Sequence, residues 1–309
     1  MDAFWNVLES QMTLILFFLI GLFLKRRRVL SDQGVEDLTA LVVNTLLPIS
    51  IFDSFQVDLT VEDYRTGGML MIISAGICLM SYLMGLGLFC RWPEDKRRVM
   101  RYSALISNCT FVGLPLLSAL YGLRGVFYAS VFVIPNRFFM WSLGVMMFEK
   151  GHLPLGKTLG KLLLNPCIVA CFLGLGTALL PVPLPRVLTR VTGSLGACNG
   201  PMSMLTIGAI LAQVDIRRCW NWDTLYISFV RLLLIPLAAQ ALLMLLGMDS
   251  QVVAVSVLLT GMPLANTVVL LAKRYNCQVE LAAQATLVSV LLSLITVPVL
   301  TLLLQVRAC

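Results

Sequence analysis

Two stretches of this chain combine residue types that could hold a small polar molecule within otherwise apolar surroundings. The first, SNCTFVGLPLLSALYG at 107–122, carries Asn108, Thr110, Gly113 and Pro115. The second, TGMPLANTVVLLA at 260–272, carries Pro263, Asn266 and Thr267. Proline has no N–H and its ring crowds the carbonyl four residues earlier, so a helix is expected to break or kink at Pro115 and at Pro263. In hydrocarbon a freed carbonyl or an amide side chain costs on the order of several kcal/mol unless a polar group meets it. A break also starts a half-helix whose unpaired N–H groups and positive dipole end attract an anion. Such groups are expected near Ala265, Asn266 and Thr267. Opposite them, the stretch before Pro115 would offer the carbonyls around Phe111 and Val112, the Asn108 amide and the Thr110 hydroxyl. Together they suit a small carboxylate.

The elements that must carry these residues are membrane spans. Hydrophobic residues make up 59% of the 309 and charged ones 13%, with a mean hydropathy of +0.90, against roughly 45–50% and ~25% in a soluble domain. Ten apolar runs, at roughly 4–24, 35–55, 66–90, 99–121, 125–148, 158–180, 191–213, 222–247, 251–272 and 279–306, approach the ~20 residues a spanning helix needs. Strict alternation is absent, so the fold class expected is an all-α integral membrane bundle rather than a barrel.

Sixteen of the twenty-three lysines and arginines fall in connections after odd-numbered spans, including Lys25–Arg28, Lys96–Arg98, Lys150, Arg217 and Lys273. Only Arg65, Arg124, Arg186, Arg190 and Arg307 fall on the other side. This is the positive-inside pattern for ten helices with both termini outside the cytoplasm. The net charge of +7 is therefore a topology signal and not a nucleic-acid surface. The first apolar run is preceded by Asp2 and followed by a basic cluster, without a cleavage site, and reads as a span rather than a signal peptide.

Enzyme chemistry finds no footing. The single histidine, His152, lies in a basic loop, and no zinc motif or paired carboxylates occur at catalytic spacing. The nine cysteines are scattered and read as small hydrophobes. No cofactor and no metal site are expected.

The two halves of the chain are weakly alike. Asn44 precedes Pro48 and Ser50 in the second span as Asn199 precedes Pro201 and Ser203 in the seventh, and Pro115 in the fourth answers Pro263 in the ninth. The pattern predicts a duplication, 1–150 and 151–309, and because five is odd the second five-helix unit must be inverted. Discontinuous helices at matching positions of inverted repeats mark a transporter's site near the bilayer midplane. Asn44 and Asn199 are further candidates for substrate contact, the alternative being helix-to-helix hydrogen bonds.

Two arginines fall within spans. Placing one near the centre costs at least ~2.5–3.5 kcal/mol, so Arg137 and Arg231 should be paired, line a wet cavity or snorkel to an interface. Either could attract an anion. Asp53 is the deepest acidic residue; it and Arg231 are the candidates for a coupling role, with an interfacial helix end as the plainer reading of Asp53. Gly67-Gly68, Gly85/Gly87 and Gly174/Gly176 suit close helix packing.

Several blocks then point to one family. VVNTLLPISIF (42–52), SNCTFVGLPLLSALYG, Asn165-Pro166, GPMSMLTIGAILA (200–212), RLLLIPLA (231–238) and the long run 261–300 with its Pro, Asn, basic pair and Tyr resemble the auxin efflux carrier family. The likeness is to its bacterial malonate-transporter-like branch, related to the plant PIN-formed carriers, with a fold like that of the bile-acid/sodium symporters. The resemblance implies inverted five-helix repeats whose fourth and ninth spans cross at broken points, with Asn108, Pro115, Pro263 and Asn266 as crossover residues. It implies a scaffold of spans one, two, six and seven, a transport domain of spans three to five and eight to ten, elevator-type alternating access, and a homodimer. The short connection 149–157 stands where the larger plant carriers have a long cytoplasmic loop. The function expected is secondary transport of a small organic anion such as malonate across a bacterial inner membrane, with proton or sodium coupling. A sodium-coupled organic-anion symporter of the bile-acid type and a non-transporting ligand sensor are the alternatives.

Overall fold

The computed structural model describes residues 2–56, 60–148, 166–179, 184–212 and 219–306. His152, Lys150, Asn165, Arg217, Arg307 and the connection 149–157 lie outside the described residues. The described residues are helical, apart from turns and one isolated bridge, and form two compact units.

The first unit comprises Met1–Gly68, Thr110–Val131 and Gly160–Gln213. Its helices are α1 (Asp2–Arg26), α2 (Asp32–Leu41), α3 (Leu47–Ser54), the start of α4 (Val61–Leu88), the first part of α6 (Leu114–Phe139), α8 (Pro166–Leu179) and α9 (Arg186–Leu211). Ser31 starts α2 by accepting a hydrogen bond from the Gly34 N–H at 2.9 Å, an N-cap that satisfies one of the helix's orphan donors.

The helices α1 and α9 touch backbone to backbone. A Cβ on Gly21 would sit 1.9 Å from the Leu205 carbonyl oxygen, and one on Gly208 would sit 1.9 Å from the Phe18 carbonyl oxygen. These two reciprocal glycines let the helices approach with no side chain between them, the close packing that membrane helices use in place of a hydrophobic drive. Helix α9 also packs on α3, where Gly196 lies over the Ser50 backbone.

The second unit comprises Met69–Cys109, Phe132–Leu159 and Val214–Cys309. It holds most of α4, then α5 (Glu94–Leu105), the end of α6, α7 (Val145–Phe148), α10 (Trp222–Phe229), α11 (Ile235–Leu245), α12 (Ser250–Thr260), α13 (Thr267–Arg274) and α14 (Val279–Val306). A capping box starts α10: the Asn221 side chain accepts from the Thr224 N–H, and the Thr224 hydroxyl accepts from the Asn221 N–H. Phe89, Met100, Tyr102, Leu105 and Ile106 are buried against Ile227, Leu264 and Val268 to form its core.

Prolines shape the helices in a repeated way. Three π-helical turns end just before an X-Pro pair: Val42–Leu46 before Leu47-Pro48, Cys109–Gly113 before Leu114-Pro115, and Val230–Leu234 before Ile235-Pro236. The missing proline N–H leaves a carbonyl without its usual partner, and a turn widened by one residue relieves the ring's clash with it. In two of these turns the i→i−5 bond is in place, from the Leu47 N–H to Val42 O and from the Ile235 N–H to Val230 O.

Among the described residues six segments are long and apolar enough to cross a bilayer: Asp32–Ser54, Val61–Leu88, Cys109–Phe139, Arg186–Leu211, Trp222–Leu245 and Val279–Leu304. Within the third, Gly122 adopts φ +62°, which only glycine takes without strain, and interrupts the helix between the expected fourth and fifth spans. Apolar side chains point outward at helical spacing, as with Leu16, Leu19 and Phe23 on α1 and Ile295, Val299 and Leu303 on α14. Exposed stripes of this kind suit lipid rather than water. The chain is a multi-pass membrane protein.

The expected packing glycines divide. Gly67 and Gly174 face Phe127 and Phe55 closely and Gly85 is in ordinary contact, whereas Gly68, Gly87 and Gly176 have open space around a would-be Cβ. Gly208→Val is therefore expected to force α1 and α9 apart, at a cost of about 3 kcal/mol or more, while Gly87→Ala stays within roughly 0.5 kcal/mol of the parent. Melting of the detergent-purified protein, followed by size-exclusion profile, separates the two.

Candidate functional site

Both expected breaks exist, and both lie in the second unit. Helix α5 ends at Leu105, Ile106 is extended, and the helical path resumes only at Cys109. Helix α12 ends at Thr260, and α13 begins at Thr267. The two interruptions pair with each other. Ser107 and Leu264 form an isolated antiparallel bridge, in which the Asn108 N–H donates to the Pro263 carbonyl at 2.8 Å. The Leu264 N–H is met by the Ser289 hydroxyl of α14 at 3.1 Å.

The first break is not where the proline suggested. Pro115 sits at the start of α6, seven residues beyond the non-helical stretch, directly after the π turn Cys109–Gly113 that accommodates it. The interruption falls at 106–108 instead, and the carbonyls around Phe111 and Val112 belong to the π turn. Pro263 lies inside its own non-helical stretch, 261–266.

A break in an apolar interior leaves helix ends to satisfy, and here several of the C-terminal carbonyls are met by specific groups. At the end of α5, Tyr102 O accepts from the Ile106 N–H and Ala104 O accepts from Arg231 Nη1 at 2.6 Å. At the end of α12, Val257 O accepts from the Gly261 N–H, and Leu259 O accepts from the Ser107 hydroxyl and the Cys109 thiol. Thr260 O accepts from Arg231 Nη2 at 2.6 Å, and Met262 O accepts from Arg231 Nε at 3.3 Å.

Arg231 is 2% exposed. It neither snorkels nor pairs with a carboxylate among the described residues; its partners are backbone carbonyls at the ends of two helices. The π turn Val230–Leu234, set by Pro236, is the element that carries it.

The N-terminal end of α13 is left more open. The Tyr102 hydroxyl bonds the Thr267 hydroxyl at 2.7 Å and ties α5 to the first residue of α13. Asn266 stands just before the helix, and its Oδ1 is buried with no hydrogen-bond partner among the described residues. Its carbonyl begins the helix by accepting from the Val269 N–H at 3.1 Å. The positive end of the α13 dipole and an amide oxygen without a partner among the described residues thus coincide at Asn266–Thr267.

The remaining candidates are dispersed. Asn108 is buried beside the bridge, and Arg137, at the end of α6, is half-buried. Thr110, Gly113 and Pro115 continue into the first unit, where Pro115 lies 3.7 Å from a would-be Cβ on Gly200. Asn199 is buried in α9 and accepts from the Ser203 hydroxyl at 3.2 Å, a bond within one helix. Asn44, in the π turn Val42–Leu46, is exposed.

Asp53, in the last turn of α3, is 8% exposed. It accepts from the Thr192 hydroxyl of α9 at 3.1 Å. Among the described residues no group of three or more His, Cys, Asp or Glu side chains is placed to hold a metal ion.

A family profile described as "Membrane transport protein" matches residues 6–155 and then residues 152–301. The chain belongs to this family of transporters. It is the auxin efflux carrier family whose blocks the sequence resembles. An uncharacterized transporter of Methanothermobacter thermautotrophicus is 23% identical over 303 residues, spanning 96% of this chain and 97% of that protein. The uncharacterized transporter YfdV of Escherichia coli K12 is 23% identical over 297 residues, 92% and 93% of the two chains. A further uncharacterized transporter, from Methanocaldococcus jannaschii, is 20% identical over 307 residues, 94% and 96% of the two chains. This membership makes the paired breaks the interior of a transporter. Ser107, Tyr102 and Ser289 take part in them, and none carries a local sequence signal, because serine and tyrosine are common in membrane helices.

The Tyr102–Thr267 bond yields a check on this geometry. Tyr102→Phe and Thr267→Val should each lower stability by about 1 kcal/mol, and the double variant should cost little more than either single one. A double-mutant melting cycle measures the coupling; additive losses would mean that the two hydroxyls do not meet.

Proposed function

We propose that this transporter is a secondary carrier for small organic anions, holding its substrate where the breaks at 106–108 and 261–266 pair. The observation that carries the reading is the N-terminal end of α13, where the positive end of the dipole meets Asn266, whose amide oxygen is buried without a hydrogen-bond partner among the described residues. Ala104 O and Thr260 O, at the C-terminal ends of α5 and α12, are met by Arg231. A carboxylate is drawn to that dipole end and accepts from the amide nitrogens of Asn266 and Asn108, a hydroxyl or protonated carboxyl of the substrate donates to the Asn266 oxygen, and a cationic solute gains nothing from the dipole. Pro263, Thr267 and Arg137 of the same unit are the further substrate contacts of this reading.

The finer reading follows the family. Ten spans in two inverted repeats sit in a bacterial inner membrane with both termini outside, and malonate or another short carboxylate is the cargo. A scaffold of spans one, two, six and seven dimerises, and the other six spans move as an elevator. Breaks on matched helices support this, because a site at such breaks lies within the element that moves.

The test is uptake of radiolabelled malonate and other short carboxylates into proteoliposomes. Asn266→Ala and Asn108→Ala are each expected to cut flux at least about tenfold, the loss of one or two charge-assisted hydrogen bonds to substrate, while the melting temperature and size-exclusion profile stay near those of the parent. Undiminished flux in both variants would refute the crossover site. Saturable carboxylate binding without any flux would favour a ligand sensor instead.

A further inference from the structure

We propose that Arg231 is a built-in cation: its guanidinium fills the place a coupling sodium ion would take between two helix C-termini, so that this transporter works without sodium. In carriers with discontinuous helices, half-helix C-terminal ends and unwound carbonyls are the groups that coordinate sodium. Here those groups are Ala104 O at the end of α5, and Thr260 O and Met262 O at the end of α12. All three accept from one guanidinium, which is 2% exposed.

The electrostatics match one for one. Each helix C-terminus carries roughly half an elementary negative charge, so two facing ends balance about one positive charge. A sodium ion would supply that charge from solution and leave with the substrate. Arg231 supplies it covalently, and because a guanidinium does not deprotonate in a protein it cannot leave as a proton either. Arg231 is a positioning residue: it holds the breaks together through their carbonyls and lies outside substrate contact. The consequence for coupling rests on the carrier reading given above, but the cation site itself does not.

The experiment therefore reads the fold first. The melting temperature of the purified full chain in detergent is expected to be the same in sodium chloride, lithium chloride and choline chloride at equal ionic strength. Arg231→Ala is expected to melt roughly ten degrees lower, and millimolar methylguanidinium, which has no such effect on the parent, should restore part of the loss saturably. Arg231→Lys keeps a cation and should melt well above Arg231→Met, so the charge can be tested even if the alanine variant does not fold.

A saturable rise of the parent's melting temperature with sodium would overturn the proposal. So would an Arg231→Met variant as stable as Arg231→Lys, or an alanine variant that methylguanidinium leaves unchanged. Failure of the carrier reading would show separately, as absence of carboxylate uptake in proteoliposomes whatever the cation.

Discussion

Two helices that stop inside a membrane protein present the ends of their dipoles to a medium without water, and most of the second unit answers that constraint. Carbonyls left bare there cost about 1–3 kcal/mol each in a protein interior and more in hydrocarbon. Arg231 meets three of them from one side chain, and the cost of burying its charge is offset by the negative ends of α5 and α12. The arrangement is strong only as a whole. An arginine without the helix ends would be an uncompensated buried charge, and helix ends without the arginine would repel each other.

The same solution leaves the site asymmetric. The C-terminal end of each interrupted helix is closed by protein, through Arg231, the Ser107 hydroxyl and the Cys109 thiol. At the N-terminal end of α13 the Thr267 hydroxyl is tied to Tyr102 and the Val268 and Val269 N–H groups bond Ala265 O and Asn266 O, while the Asn266 amide oxygen has no partner among the described residues. A break satisfied at both ends would be a structural kink with nothing to bind. The open polarity at one end, next to a bridge that fixes the approach of the two strands, is what makes anion binding the reading favoured here.

How much of this the sequence shows depends on how local the cause is. Composition and basic-residue asymmetry are properties of whole segments, so membrane class and family emerge directly. The second break is legible for a similar reason: Gly261, Pro263 and Asn266 all act within a few residues of the interruption they produce. The first break is displaced because its cause is tertiary. Ile106 and Ser107 are extended so that they can pair with Leu264, and nothing in SALISN foretells that partner. Arg231 shows the same limit. Its depth in an apolar run says that something must meet the charge, but three backbone carbonyls leave no trace in side-chain identity.

The prolines connect these two levels. Pro48, Pro115 and Pro236 each come just after a π turn rather than sit at a break. One extra residue per turn rotates the upstream part of the helix relative to the downstream part, so the widened turn re-aims side chains as well as relieving the ring. For Pro236 the re-aimed residue is Arg231, which lies within the π turn and points at the helix ends. A straight α-helix through 230–236 would carry Arg231 on a different azimuth. Pro236 therefore acts on the site through the direction of one arginine, which is a more specific role than kinking a span and explains why a proline sits five residues after the only guanidinium at the breaks among the described residues.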